Sequence, residues 1–201
     1  MAETESRYRE AIARFQSVLD EARAVSNGFM GNDPAMTLAT TDAQGRPSLR
    51  TVLLKGVDER GFVFYTNLNS RKGRALAARP HAALLFFWPE LKRQVNVEGG
   101  TEAVSDEESN AYWSSRPRES QLGAWASDQS APLANREEYE QRLAAVRQRY
   151  RDCAVPRPPY WAGFRVVPDR IEFWHEREFR QHERECFWRE GEDWRWTLLN
   201  P

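Results

Sequence analysis

Arg50-Thr51-Val52-Leu53-Leu54-Lys55, then Phe62-Val63-Phe64-Tyr65-Thr66-Asn67, then Ser70-Arg71-Lys72-Gly73 reads as strand, hairpin, strand and helix start. Both apolar runs are rich in β-formers, and Asp58-Glu59-Arg60-Gly61 supplies the turn between them. Ser70 is placed to cap a helix, which puts Arg71 and Lys72 in its first turn. Cations there oppose the helix dipole. An anion bound at the free N–H groups of the same helix end would offset that cost. The stretch therefore reads as a phosphate site formed by Arg50, Arg71 and Lys72, with ordinary solvated surface cations as the plainer alternative.

Outward from this stretch, 201 residues suffice for one domain with a sizeable core. The reading is an N-terminal helix and linker over 1–34 and one domain over 35–201. Lys and Arg number 29 against 30 Asp and Glu, and a net charge of −1 argues against a general nucleic-acid or membrane-surface binder. No apolar run has membrane-spanning length, and the acidic start lacks a signal-peptide core. Cys153 and Cys186 show no metal-ligand spacing and read as free thiols in a reducing cytoplasm. His81, His175 and His182 stand apart, so no metal site is expected. There is no Gly-rich dinucleotide fingerprint, no P-loop and no assignable Ser-His-acid arrangement.

In chain order, Tyr8, Ile12, Phe15, Leu19 and Ala22 recur at helical spacing, predicting a helix over 7–25, and Ser26 to Pro34 reads as linker. Strands are expected over 35–41, 47–55 and 62–67, then a helix from Ser70 to about Ala78. The uninterrupted apolar run from Ala82 to Trp88 reads as a strand covered on both faces. In Gln94-Val95-Asn96-Val97-Glu98-Gly99 the alternation leaves one polar wall, which suits a site or a solvated face equally. Ser105-Asp106-Glu107-Glu108 is a capping box opening a helix through Tyr112. Ser114 to Ser130 reads as a long polar-aromatic loop, and such loops inside compact domains tend to be functional. Asn135 caps another helix, with Leu143, Val146 and Tyr150 as its buried stripe. Strands over 163–167 and 170–174 and a hairpin of 185–189 with 194–199 complete a closed antiparallel sheet with helices outside.

Two further groups carry chemistry. Arg116 stands near Tyr112 and Ser120, with Lys55 a possible member. In a regular strand Arg50 and Lys55 face opposite ways, serving two anions unless strand twist brings them together. Trp174 is followed by Phe179-Arg180-Gln181-His182-Glu183-Arg184, where an extended chain puts Arg180, His182 and Arg184 on one face. That face suits either an anionic, electron-rich ligand or a charged edge strand.

Together these stretches, with Ser115-Arg116-Pro117-Arg118, Ser120-Gln121-Leu122-Gly123-Ala124-Trp125 and Ile171-Glu172-Phe173-Trp174, resemble the pyridoxine/pyridoxamine 5′-phosphate oxidase family from about Ala35 to Pro201. The resemblance implies a mainly β fold with peripheral helices, an FMN-binding split β-barrel, dimeric with FMN at the subunit interface. It implies FMN contacts from Arg50, Thr51, Val52, Leu53, Leu54, Lys55, Tyr65, Thr66, Arg71, Lys72, Gln94, Gln129, Ser130, Trp174 and Arg184. The substrate phosphate would rest on Lys55, Tyr112, Arg116 and Ser120, with Arg180 and His182 catalytic against the pyridine ring. The implied activity is oxidation of phosphorylated B6 vitamers to pyridoxal 5′-phosphate, with O2 as acceptor and hydrogen peroxide as product. Gln181 stands where the family usually has Leu, Glu183 where Asp is common, and the N-terminal Arg-x-x-Tyr lid of longer members has no counterpart before Ala35. An oxidase of phenazine biosynthesis is the rival enzyme, disfavoured by the phosphate cradle of Lys55, Arg116 and Ser120. A non-catalytic flavin- or pyridoxal-phosphate-binding protein is the rival from another class, disfavoured by Arg180 and His182.

Overall fold

The structure, a computed structural model, describes residues 2–25 and 34–201, with side chains in the first helix from Arg7 onward. The expected linker, apart from Pro34, lies outside the described residues. Helix α1 spans Ala2–Val25 and is followed by strands β1 (Ala35–Thr41), β2 (Pro47–Leu53), β3 (Gly56–Asp58) and β4 (Gly61–Asn67). Then come α2 (Arg71–Ala78), β5 (His81–Trp88), β6 (Arg93–Ala103), α3 (Asp106–Ser115), α4 (Arg118–Ala126) and α5 (Arg136–Arg149). Strands β7 (Trp161–His175), β8 (Glu183–Glu190) and β9 (Asp193–Leu199) close the chain.

The strands pair antiparallel in the order β2-β1-β5-β6-β7-β4-β3, and β8 with β9 branches from β7. The branch arises because the first part of β7 pairs with β4 and its last part with β8, while β6 runs along its other edge. The result is the expected mainly β, split-barrel architecture with helices outside. Alternation fills its inside: Met36, Leu38, Phe64, Leu84, Phe86, Val95, Val97 and Ile171 are buried. Helix α1 belongs to this core. Its Ile12, Phe15 and Leu19 are buried, and the Phe15 ring meets Phe62 and Phe86 edge-on, each at 4.8 Å. Tyr8 stacks on Trp194 at 4.7 Å, where burial pushes its hydroxyl up to about 12.

Four expectations are corrected. Strand β5 is buried on one face alone: Ala82, Leu84, Phe86 and Trp88 point inward, while Phe87 is 57% exposed in the single chain. The two strands expected over 163–174 are one, β7. Its register shifts where Gly99 meets Pro168, so Asp169 is an extra residue and the proline's missing N–H falls in the irregularity. Gly99 is needed there because a Cβ would stand 2.0 Å from the Val167 carbonyl oxygen. The expected loop over 114–130 contains the end of α3 and all of α4, whose Leu122 and Ala126 are buried. Finally, Phe179 and Arg180 form a short 3-10 turn with φ of 54° and 62° rather than an extended segment.

Around Trp161, a second apolar cluster joins Trp113, Leu122, Tyr150 and Val155, with Tyr65, Tyr112, Leu143 and Val146 against it. It fixes α3, α4 and α5 over the first residues of β7.

Candidate active site

Between β2, β4, the start of α2 and the α3–α4 helices lies a cleft of about 890 Å³. It gathers Thr51, Val52, Leu53, Lys55, Tyr65, Thr66, Lys72 and Gln129, together with Tyr112, Arg116 and Ser120. Two parts of the sequence expectation thus meet in one cavity.

At one end stands the helix start. Ser70 caps α2 by accepting a hydrogen bond from the Gly73 backbone N–H at 3.2 Å, as its sequence position implied. The Lys72 ammonium donates to Thr66 Oγ1 at 3.1 Å and to Gln129 Oε1 at 3.0 Å. These partners are neutral, and no acidic residue lies in the helix's first turn. Burial, and then the nearby Arg50, hold the Lys72 ammonium below the ordinary lysine range. Arg50 donates to the Leu38 carbonyl at 3.0 Å and to the hydroxyls of Thr40 and Ser48. Its pKa is lowered by burial and by Arg71. Arg50, Arg71 and Lys72 therefore form one group of mutually repelling cations, and an anion there relieves the repulsion. Arg50 and Arg71 flank the cleft without lining it.

Lys55 occupies the other end. Strand β2 stops at Leu53 and Leu54 is buried in the core, so Lys55 keeps the alternation that opposes it to Arg50 and lines the cleft with Thr51 and Leu53. Its ammonium lies 5.5 Å from the Tyr112 ring centroid. Arg116 ends α3, and its guanidinium lies 4.8 Å from the Trp161 ring and 5.1 Å from the Trp113 ring. Its Nη1 is buried without a hydrogen-bond partner among the described residues, and burial lowers its pKa. A buried donor left unpaired is costly, so this atom marks a place for an acceptor brought by a ligand. Tyr65 and Tyr112 stack at 4.1 Å between the two cation groups.

The remaining expected residues lie elsewhere. Gln94 and Trp174 are cross-strand partners, as are Trp174 and Arg184, at the opposite end of β7. Gln94 and Trp174 line a separate groove of about 300 Å³. Arg184 is held by Glu172 at 2.7 Å, and His182 packs on Trp174 with ring centroids 4.7 Å apart. His182 Nδ1 accepts from the Arg177 backbone N–H at 3.3 Å. Arg180 makes no hydrogen bond or ion pair among the described residues, and Gln181, which stands where the family usually has Leu, is exposed. Ser130 is exposed beyond Gln129 with φ of 71°. Trp174 is thirteen residues beyond Trp161 along β7, roughly 40 Å of strand path. One chain therefore brings the cleft residues together but not the Gln94-Trp174-Arg184 group with them.

Sequence reasoning missed Asn67, Ser115, Ser127, Tyr139 and Trp161 as cleft residues. Trp161 had a signal: it lies two residues beyond the rigid run Pro156 to Pro159, which limits where its ring can sit.

A family model described as pyridoxamine 5′-phosphate oxidase matches residues 20–150. One described as the pyridoxine 5′-phosphate oxidase C-terminal dimerisation region matches residues 161–201. A pyridoxine/pyridoxamine 5′-phosphate oxidase of Rhodospirillum rubrum is 55% identical over 199 residues, covering 96% of this chain and 97% of its own. One of Myxococcus xanthus is 54% identical over 193 residues, covering 96% and 92%. Among solved structures, PhzG from Burkholderia lata 383, in complex with tetrahydrophenazine-1-carboxylic acid, superposes with a TM-score of 0.84 at 33% identity, covering 94% of this chain and 90% of that one. The chain belongs to the pyridoxine/pyridoxamine 5′-phosphate oxidase family.

Proposed function

We propose that this protein oxidises pyridoxamine 5′-phosphate and pyridoxine 5′-phosphate to pyridoxal 5′-phosphate, using FMN and O2 and releasing hydrogen peroxide. The observation that carries the reading is one cleft with two separate cation groups, Lys72 with Arg50 and Arg71 at one end and Lys55 with Arg116 at the other. Two phosphorylated ligands held side by side need such a pair. Lys72, with Arg50, Arg71, Thr66 and Gln129 about it, would hold the flavin phosphate. Lys55, Tyr112, Arg116 and Ser120 would hold the substrate phosphate, remote from the reacting carbon. Bound flavin supplies the two-electron oxidation. The protein's part is to fix both phosphates so that the rings between them face one another, which removes most of the entropic cost of their encounter.

The site is completed by a second copy of the chain. Gln94, Trp174 and Arg184 lie too far along β7 to join their own cleft. They share the outer face of the sheet with Leu49 (69% exposed) and Phe87 (57% exposed), apolar side chains that a partner subunit would cover. This also accounts for the uninterrupted apolar run of β5. Arg180 and His182, next to Arg184, would then reach the pyridine ring in the partner's cleft.

The test is aerobic incubation of the FMN-loaded protein with each phosphorylated vitamer, following aldehyde and peroxide. Equimolar aldehyde and peroxide are expected. Binding of both ligands without turnover would make the protein a carrier. Turnover of a reduced phenazine carboxylic acid, and not of either vitamer, would place it with the phenazine oxidases.

A further inference from the structure

We propose that Trp161 is a positioning residue for substrate-phosphate recognition: its ring face holds the Arg116 guanidinium so that the unpaired Nη1 points to the phosphate. The proposal rests on the reading that Arg116 binds that phosphate. An arginine is usually fixed by a carboxylate, which also neutralises it and competes with any incoming anion. Arg116 is fixed differently. No carboxylate pairs with it among the described residues; its guanidinium carbon lies over the rings of Trp161 and Trp113, at 4.8 Å and 5.1 Å. Ring faces attract the cation without using its in-plane N–H donors, which stay free for a phosphate.

Trp161 is itself held on all sides. It is 5% exposed, parallel to Tyr65 within 8° at 5.2 Å, and edge-on to Trp113 at 4.9 Å. Its carbonyl accepts from Arg157 Nη1 at 2.7 Å, and the same guanidinium donates to Asn110 at 2.7 Å and pairs with Asp106. Arg157 thereby ties the strand that carries Trp161 to the helix that ends in Arg116. Trp113 is fixed in turn by donating from Nε1 to the Val155 carbonyl at 2.8 Å. The distance between Arg116 and the Tyr65 ring is thus set by one indole that touches both.

The test compares Trp161→Phe, which keeps a ring face, with Trp161→Leu, which keeps apolar bulk without one; Arg116→Ala is the reference. FMN-loaded proteins are assayed with pyridoxamine 5′-phosphate, and inorganic phosphate serves as a competitive inhibitor. Trp161→Leu should raise KM and the phosphate inhibition constant together by about tenfold. Its kcat should stay within about twofold, because a remote phosphate contact acts as uniform binding. Trp161→Phe should remain within about threefold of the parent in both constants. If Trp161→Leu does not fold, Trp161→Met is read in the same way. Equal effects of the aromatic and aliphatic replacements, or none from either, would overturn the proposal while a large Arg116→Ala effect left the phosphate reading standing. An inert Arg116→Ala would overturn both.

Discussion

Tyr65 lies across Gly163, its directly opposite partner on the neighbouring strand: a methyl group at 163 would stand 2.7 Å from Tyr65 Cε1 and 2.6 Å from Val104 Cγ2. The glycine is what lets the ring lie flat in the cleft, nearly parallel to the rings of Tyr112 and Trp161. Gly163→Ala should overpack this site and destabilise the fold by about 1–3 kcal/mol. It should also tilt Tyr65 and weaken FMN binding. Thermal melting and flavin-fluorescence titration measure the two effects. A lower melting temperature with unaltered FMN affinity would remove Tyr65 from the flavin contacts.

Lys72→Ala should weaken FMN binding about ten- to hundredfold by removing a charge-assisted hydrogen bond. The depressed pKa of Lys72 adds a pH dependence. A bound phosphate favours the charged ammonium, so affinity is full below the lowered pKa of the free protein. It falls as pH rises through that value, earlier than an ordinary lysine would cause. Lys72→Arg keeps its charge and should flatten the alkaline limb. FMN titrations across the alkaline range in both proteins check this; identical profiles would mean another group titrates.

The elements legible in the sequence are those specified by local chemistry. Ser70 and Asn135 cap the helices assigned to them, and the hairpin of β8 and β9 falls where Glu190 to Asp193 predicts a turn. Helix α4 was illegible because its N-cap, Pro117, makes no side-chain capping bond; burial of Leu122 and Ala126 against the rest of the fold holds it. In β7, Pro168-Asp169 has the chemistry of a turn, and only Gly99 on the facing strand lets the strand run through. The cation groupings at Lys72 and Arg116 were legible as motifs. That the Trp174 group belongs to a different end of the chain was not, because it depends on strand register over the length of β7.

Arg180 lies in a left-handed turn beside Phe179, which is 86% exposed. Two non-glycine residues at positive φ cost of order 1 kcal/mol each, and such local strain is typical of functional segments. Arg180→Ala should lower kcat/KM for pyridoxamine 5′-phosphate far more than it alters FMN affinity, since its planar guanidinium would hold the pyridine ring rather than the flavin. Stopped-flow flavin reduction separates the two. A parallel loss of FMN binding would move Arg180 to the flavin side. Gln181→Leu, at an exposed position, should leave flavin reduction nearly unchanged.

Subunit complementation tests whether the two residue groups meet across a dimer. One chain carries Lys72→Ala with Arg116→Ala, which disables its cleft and spares its Trp174 end. The other carries Arg180→Ala with Arg184→Ala, which does the reverse. Each homodimer should be nearly inactive. A mixed dimer, purified through two different tags, pairs the intact cleft of one chain with the intact Trp174 end of the other at one of its two symmetric sites. Both lesions fall together at the second site. Activity should therefore return to about half that of the parent dimer. If cleft and Trp174 end worked within one chain, every site in the mixed dimer would carry one lesion and activity would not return. Arg184→Ala also frees the buried Glu172 carboxylate from one of its two guanidinium partners, the other being Arg170 at 2.8 Å. The homodimer bearing it should melt at a lower temperature even where its cleft still binds phosphate. Recovery of turnover in the mixed dimer without recovery of that melting temperature would separate the catalytic contribution of the Trp174 end from its structural one.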